Sequence, residues 1–236
     1  NAPRYDRLIQ YRNGALRFAE WNYGPMLWRM HNLQVLHSKK NSIYDDARFT
    51  VAYQNYEESR IDRTRASNNR NKQIDQVDAV SVNWDATKRI GKDRLPDKQG
   101  QLFYGLEYVH NKVGSFGERT NISTNTFDPM MSRYPDGSTW SSTGIYGSYK
   151  INLRPKVTLT TGLRYSYNTL DAAFDTTFIK FPYKNAELRD GALTANAGLV
   201  FRPAEGWQLN SNISTGYRMP NVDDIGKLFE SVPGNV

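Results

Sequence analysis

The sequence predicts an all-β protein, an antiparallel up-and-down meander of about eight strands that forms part of a larger transmembrane β-barrel. Three observations predict this fold. Apolar and polar residues alternate over several long segments, aromatic residues make up 13% of a chain whose mean hydropathy is -0.72, and short links alternate with long ones. Strict alternation is typical of strands with one apolar face. No run approaches the roughly 18 consecutive apolar residues of a membrane helix, so a helical membrane protein is excluded.

The alternation predicts strands along most of the chain. It is clear over residues 49–54, 80–85, 101–108, 142–151, 157–167, 193–201 and 207–217. It is blurred over residues 27–36, where Trp28 and Met30 lie on one parity and Leu33 and Val35 on the other. A β-bulge would switch the faces of a strand at such a point.

The links between these strands differ in length in a regular way. Short links are expected at 39–41, 152–156 and 202–206, with a medium link at 89–100; long links are expected at 60–72, 114–139 and 170–190, and another begins at Asn221. Transmembrane barrels have short periplasmic turns and longer extracellular loops. A strand such as 157–167, at about 3.4 Å per residue and tilted about 45°, crosses the roughly 25 Å apolar band of such a barrel.

Composition and motifs give no support to catalysis. The chain has no cysteine, which excludes disulfides, thiolate metal sites and cysteine nucleophiles. It has no nucleophile elbow, phosphate loop or dinucleotide fingerprint. We therefore predict that the protein is not an enzyme and has no catalytic residue, resident cofactor or metal site. His31, His37 and His110 are expected to have structural roles, with haem ligation by one of them as the alternative.

Residues 212–224 carry a recognisable motif. They end a predicted strand in Tyr217-Arg218-Met219-Pro220 and continue into an acidic segment. This stretch resembles the strand-to-loop box of TonB-dependent outer-membrane receptors, with Met219 where the family usually has a small residue. Residues 3–8 and 21–25 are similar to segments that occur upstream in the same barrel. From the residues alone, Pro220 ends the strand and Asn221 caps a short helix over 222–229.

The resemblance implies a barrel of about 22 strands in the bacterial outer membrane, plugged by a globular domain. It also implies import of a ferric siderophore, haem or a similar scarce nutrient, with energy from the TonB complex acting on the plug. Outer-membrane lipid and lipopolysaccharide would surround the barrel. No plug or TonB-contacting box is recognisable in residues 1–236, so the chain is expected to be a partial β-barrel domain that lacks the plug and the remaining strands.

Two groups of residues are candidates for ligand binding. The resemblance places Tyr217 and Arg218 at the ligand-facing mouth, although a structural role in capping the helix is favoured. Arg60, Arg63 and Arg65 lie in a basic stretch on a predicted extracellular loop. With a net charge of +7, the chain could attract anionic iron chelates or lipopolysaccharide phosphates through this stretch. A solvated polar loop is the simpler alternative.

Two other classes of protein compete with the receptor. About eight strands can close a small barrel that binds a ligand in its lumen. The predicted strand lengths, and a polar face that carries Lys150 and Arg164, argue against that alternative. A basic nucleic-acid module would need an aromatic and basic signature that the chain lacks. We therefore expect no nucleic-acid partner.

Overall fold

The computed structural model describes residues 1–91, 100–180 and 183–226. In chain order its elements are β1 (Ala2–Pro3), α1 (Tyr5–Leu8), β2 (Tyr11–Arg12), β3 (Ala15–Leu16), β4 (Phe18–Ser38), β5 (Asp46–Thr64), β6 (Asn69–Ile90), β7 (Gly100–Asn121), β8 (Thr126–Met130), β9 (Thr139–Arg154), β10 (Val157–Ala173), β11 (Asn185–Phe201), β12 (Leu209–Ser214) and α2 (Val222–Gly226). No helix in the described ranges is long and apolar enough to cross a membrane.

The strands form one large antiparallel sheet. Its order is β1-β4-β5-β6-β7-β9-β10-β11-β12, with β8 paired to β7, while β2 and β3 form a separate small sheet. Each long strand pairs with the next long strand along the chain, which confirms the up-and-down meander. Within the described ranges the sheet stays open, with β1 and β12 at its edges. This open sheet does not match the alternative of a self-contained, closed barrel.

Several strands extend further than the alternation predicts. The expected long loop at 60–72 is wrong, because β5 and β6 stay paired as far as Asp62 and Asn71, and a tight turn at 65–68 joins them. Arg60 and Arg63 therefore belong to β5, and Arg65 lies in the turn. The expected loop at 114–139 likewise contains the end of β7 and all of β8, and β10 and β11 extend into the expected loop at 170–190, as far as Ala173 and from Asn185.

The extra strand length has a simple physical cause. Apolar periodicity marks a strand only where one face meets apolar surroundings. Near the 65–68 turn both faces of the β5–β6 hairpin carry polar side chains, such as Glu57, Glu58 and Gln76. The hydrogen-bonded pairing of β5 with β6 continues there, although apolar and polar residues no longer alternate.

The blurred segment at 27–36 contains no bulge. The pairing of β4 with β5 is regular from Met26 opposite Glu58 to Ser38 opposite Asp46, and the register shifts lie earlier, one of them between Tyr23 and Met26. That shift includes Pro25, which has no N–H to donate to a ladder. The bulge prediction is therefore wrong for 27–36. Trp28 and Met30 lie on one face of a regular strand, and Leu33 and Val35 lie on the other.

The two faces of the sheet differ in character. Directly opposed residues share a face, and the register connects one apolar row across seven strands: Val35, Phe49, Trp84, Leu106, Ile145, Tyr165 and Leu193. We call this the outer face. The other face, called the inner face, carries Arg164, Ser166 and Asn168 and is polar, as the alternation predicts.

The inner face acquires a small apolar core near one end of the strands. Met219 and Val222 are buried there against Val113, Leu170 and Ala172. This core forms because residues 215–226 leave β12 and fold back over the inner face. The predicted strand at 207–217 is accordingly shorter, with β12 covering only Leu209–Ser214.

The helix predicted at 222–229 is observed as α2 over Val222–Gly226, and residues 227–229 lie outside the described ranges. Its start has a reciprocal cap. The Asp224 N–H donates to Asn221 Oδ1 at 3.1 Å, and the Asn221 N–H donates to Asp224 Oδ2 at 2.9 Å. Asn221 therefore has the capping role that its side chain predicts, because both groups satisfy otherwise orphaned N–H donors.

Candidate ligand site

A cavity of about 780 Å³ lies on the inner face beside the apolar core. Its floor and walls come from β5, β6, β7, β9 and β10, and residues 217–223 form one side. The lining combines aromatic rings, valines, serines, amides and charged groups. A volume of this size falls within the range of about 300–1,000 Å³ that is usual for small-molecule sites.

Arg133 fixes one side of the cavity. Its Nη1 lies 2.5 Å from the Asp75 carboxylate and 3.0 Å from that of Glu58. Ser115 completes the anchor, since its hydroxyl donates to Asp75 at 2.7 Å and accepts the N–H groups of Arg133 and Tyr134 at 3.2 Å each. Burial is the largest single influence and would lower the pKa of Arg133, but the charges of Asp75, Tyr134 and Glu58 and the hydrogen bond to Asp75 together outweigh it, and the pKa is raised.

Tyr134 joins the two segments that cover the inner face. Its hydroxyl donates to Asp223 Oδ1 at 2.7 Å, and the Arg133 guanidinium lies 5.0 Å from the centre of its ring. Burial, followed by the hydrogen bond to Asp223, raises the pKa of Tyr134 to about 12. The 131–138 segment and the start of α2 are therefore connected through a neutral phenol at neutral pH.

The structure places the predicted Tyr217 and Arg218 at the cavity, where both contribute to its lining. The Tyr217 hydroxyl donates to Asp190 Oδ2 at 2.9 Å. Arg218 Nη2 donates to both carboxylate oxygens of Asp224, at 2.6 and 2.9 Å. Because the Asp224 carboxylate also accepts the Asn221 N–H at the start of α2, Arg218 supports the helix start while its exposed side chain borders the cavity.

The other three candidate residues lie elsewhere. Arg60 Nη2 contacts Glu58 at 3.3 Å, Arg63 Nη1 donates to the Ser67 carbonyl at 3.1 Å, and the Arg65 N–H donates to the Arg17 carbonyl at 3.0 Å. None of the three lines the cavity. The structure therefore does not bring them together with Tyr217 and Arg218.

Several cavity residues carry no signal in the sequence. Arg133 and Asp75 meet only because two hairpins place β6, β7 and residues 131–138 together, and nothing in their spacing predicts this. The turn at residues 135–138 is the sequence feature that could have indicated an ordered segment here. There Gly137 has a φ of 75°, and Asp136 Oδ1 accepts the Ser115 N–H at 2.9 Å, which ties the segment to β7.

A second polar cluster lies on the inner face at the edge of the cavity, which Arg164 and Ser166 line. Arg164 Nη2 contacts Glu107 at 2.7 Å and its Nε donates to Ser166 at 2.9 Å. Tyr146, an aromatic residue on the same polar face, donates its hydroxyl to Asp85. A tyrosine fits on this polar face because its hydroxyl can donate a hydrogen bond to a carboxylate.

The three histidines lie on the outer face, away from the cavity. By register, His31 opposes Tyr53, His37 opposes Ala47, and His110 opposes Val80. Each ring has a neighbour: His31 stacks on Tyr53, His37 contacts the Tyr44 hydroxyl, and His110 contacts the Ser141 hydroxyl. Among the described residues, no group of three or more His, Asp or Glu side chains could hold a metal ion.

Comparison with solved structures gives several that share this fold. The copper transporter OprC superposes with a TM-score of 0.71 at 13% identity, over 85% of this chain and 32% of that one. The siderophore receptor PiuA from Acinetobacter baumannii gives 0.61 at 14%, over 85% and 34%. The ferric-catecholate import receptor Fiu from E. coli K12 gives 0.57 at 13%, over 79% and 35%. The chain thus spans about a third of the length of these proteins.

No curated protein matches the sequence. A family model does match it, the β-barrel of TonB dependent receptor-like proteins, over residues 2–235. This match covers nearly the whole chain and agrees with the open antiparallel meander and its apolar outer face. The chain belongs to the β-barrel family of TonB-dependent receptors.

Proposed function

We propose that this chain forms part of the barrel wall of a bacterial outer-membrane receptor that imports an iron complex, with energy from the TonB complex. The cavity on the inner face carries the proposal. It lies toward the 131–138 and 215–226 segments, at the end of the strands opposite the short 155–156 turn. In a transmembrane barrel the longer connections are extracellular, and the cavity end carries the 122–138 connection although the β5–β6 turn there is short, so the cavity would open toward the outside of the cell.

The outer face supports the membrane location. The apolar row from Val35 to Leu193 crosses seven strands, and Leu163 and Leu193 are 58% and 68% exposed. Exposed apolar surface of this extent indicates contact with lipid or a partner. Lipid and lipopolysaccharide would cover this face in the intact barrel. TonB would act through a plug domain outside residues 1–236.

The proposed cargo is a ferric siderophore or a similar metal complex. The solved structures with this fold include proteins described as siderophore, ferric-catecholate and copper receptors or transporters. All three histidines of this chain lie on the outer face, so this part of the barrel would offer haem no histidine ligand at the cavity. The ion-paired groups around the cavity suit binding and transport, and we propose no catalytic role for them.

Uptake of radioactive iron tests the proposal. Cells that express the intact receptor should accumulate iron from a supplied ferric siderophore only when the TonB complex is present. Trp140→Leu removes an aromatic wall of the cavity and should raise the concentration needed for uptake, whereas Trp207→Leu, at the opposite end of the sheet, should not. Uptake that persists without TonB, or no uptake from ferric hydroxamates, ferric catecholates or haem, would contradict the proposed function.

A further inference from the structure

A second cavity, of about 420 Å³, lies on the inner face next to the first. We call the cavity of about 780 Å³ the upper cavity and this one the lower cavity, since it is nearer to the short 155–156 turn. Small polar residues of β9 to β12 form much of its lining: Ser148, Gly162, Thr194, Asn196, Ser214 and Thr215. Small side chains leave room close to the wall, so a solute in the lumen can approach the sheet there.

One residue borders both cavities. Arg164 lines the upper and the lower cavity, and every second residue of β10 continues the same face on either side of it. Asn168 and Ser166 lie on the upper side and Gly162 on the lower side, in steps of about 7 Å along the strand. The two cavities are therefore successive sections of one surface, which runs along β10 toward the short turn.

The Arg164 side chain lies along this surface. Its guanidinium crosses β9 at Gly144 and contacts Glu107 at 2.7 Å, and Glu107 stands directly opposite Gly144 on β7. A Cβ at Gly144 would collide with the guanidinium, so a glycine is needed for this crossing. The longest side chain at the boundary of the two cavities is thus held against the sheet.

The same arrangement recurs one strand away. Tyr146 crosses β7 at Gly105 and donates its hydroxyl to Asp85, which stands directly opposite Gly105 on β6. A Cβ at Gly105 would collide with the Tyr146 ring. Two long side chains therefore run along the sheet instead of across the lumen, and neither obstructs a solute that moves along this wall.

The two cavities differ in how strongly they can hold a ligand. Four aromatic residues line the upper cavity: Tyr56, Tyr134, Trp140 and Tyr217. In the lower cavity the aromatic lining is Tyr146. Burial of aromatic area contributes strongly to binding, whereas hydroxyls and amides exchange hydrogen bonds with water for little net gain. The upper cavity therefore suits capture, and the lower cavity suits a weaker site from which a solute can move on.

From these observations we infer that the lower cavity is a transit site, which the cargo occupies after it leaves the upper cavity. The inference rests on the proposed function and adds a second site to it. The lower cavity fits a chelate whose surface carries hydroxyl, carbonyl or amide groups, because Ser148, Asn196 and Ser214 offer both donors and acceptors. Arg164 is a positioning residue at the boundary, where its ion pair with Glu107 keeps the way between the cavities open.

Filling the lower cavity of the intact receptor tests the inference. Residues 1–236 contain no cysteine, so Ser148→Cys places a single thiol on this part of the barrel, opposite Gly162. The substitution is small, and the bulk is added after folding with a large methanethiosulfonate reagent. The probe is whichever of a ferric tris-hydroxamate and a ferric tris-catecholate the wild-type receptor takes up. Its equilibrium binding and its TonB-dependent uptake are measured before and after modification.

Modification of Ser148→Cys should separate uptake from binding. We expect the rate of uptake to fall at least about fivefold, while the dissociation constant changes by less than about twofold. Reduction of the mixed disulfide should restore uptake. Thr50→Cys is the matched control, because Thr50 lies on the inner face of β5 and lines neither cavity. The same reagent at this position should leave uptake unchanged.

The remaining outcomes would overturn the transit site. Unchanged uptake after modification of Ser148→Cys would do so, and so would an equal loss of uptake in modified Thr50→Cys. Binding that weakens as much as uptake would make the lower cavity part of the capture site. A thiol at position 148 that the reagent cannot reach in the resting receptor would show that protein already fills the lower cavity. All of these results leave the proposed function standing, which fails instead if the untreated wild type takes up neither probe.

Discussion

The guanidinium of Arg133 lies 2.5 Å from the carboxylate of Asp75, and both side chains are almost completely buried, at 5% and 8% exposure. The two residues are 58 positions apart in the chain. Asp75 belongs to β6, whereas Arg133 belongs to the segment between β8 and β9. This ion pair therefore fixes an irregular segment to the sheet and defines the shape of the cavity.

Replacing Arg133 with methionine should release that segment. Asp75 and Glu58 would lose their shared positive partner, and breaking a buried pair in this way costs about 3–5 kcal/mol. Because Arg133 mainly anchors residues 131–138, we expect a local effect, measured as faster amide hydrogen exchange over those residues. Adding Asp75→Leu to Arg133→Met removes the orphaned carboxylate and should recover part of the protection. No recovery in the double variant would contradict this account.

The Arg133–Asp75 pair is a contact that the sequence alone does not predict. Strands such as β10 could be predicted, because Leu163 and Tyr165 alternate with Thr160 and Arg164 between apolar and polar surroundings. The ends of β5 and β6 could not, since both of their faces are polar. A contact such as Arg133 with Asp75 depends on the register of several hairpins, and no local pattern encodes that register.

The candidate site was only partly predictable for a related reason. Tyr217 and Arg218 lie in a local motif, and the structure places both at the cavity. Arg60, Arg63 and Arg65 were grouped because they are close in sequence, but the structure directs them to separate partners. Closeness in sequence predicts a shared site only when the segment is a compact loop, and here the segment is a paired hairpin.

Two glycines on neighbouring strands should respond differently to substitution by alanine. A Cβ at Gly105 would collide with the Trp84 carbonyl and the Tyr146 ring, whereas a Cβ at Gly147 has no atom nearer than 4.0 Å. Gly105→Ala should therefore cost about 1–3 kcal/mol, the usual range for overpacking. Gly147→Ala, on the same β7–β9 pair, should be neutral or slightly stabilising because it restricts the unfolded chain. Unfolding in lipid vesicles measures both, and equal effects would contradict the close approach of the Tyr146 ring to Gly105.

The link between Tyr134 and Asp223 should respond to pH. Since the pKa of Tyr134 is raised from 10 to about 12, its neutral form is stabilised by folding. The contribution to stability is therefore fully present below about pH 10 and is lost as the pH rises through about 12. The difference in tyrosinate absorbance between the wild type and Tyr134→Phe should show one phenol that titrates near 12. A difference curve with its midpoint at 10 would mean that the phenol is neither buried nor bonded to Asp223.

Two substitutions on β10 test which face of the sheet meets lipid. Leu163 lies on the outer face and is 58% exposed, whereas Thr160 lies on the inner face opposite Lys150 and Gly198. In the intact receptor, Leu163→Arg should cost about 2 to 4 kcal/mol near the bilayer midplane, because hydrocarbon cannot solvate a guanidinium. Thr160→Arg should cost less than about 1 kcal/mol, because the inner face is polar. Reversible unfolding of both variants in lipid vesicles measures the difference. Equal costs would contradict the lipid-facing assignment, as would an intact receptor that stays monomeric by light scattering after detergent is removed, since its apolar outer face would then have to be covered by protein.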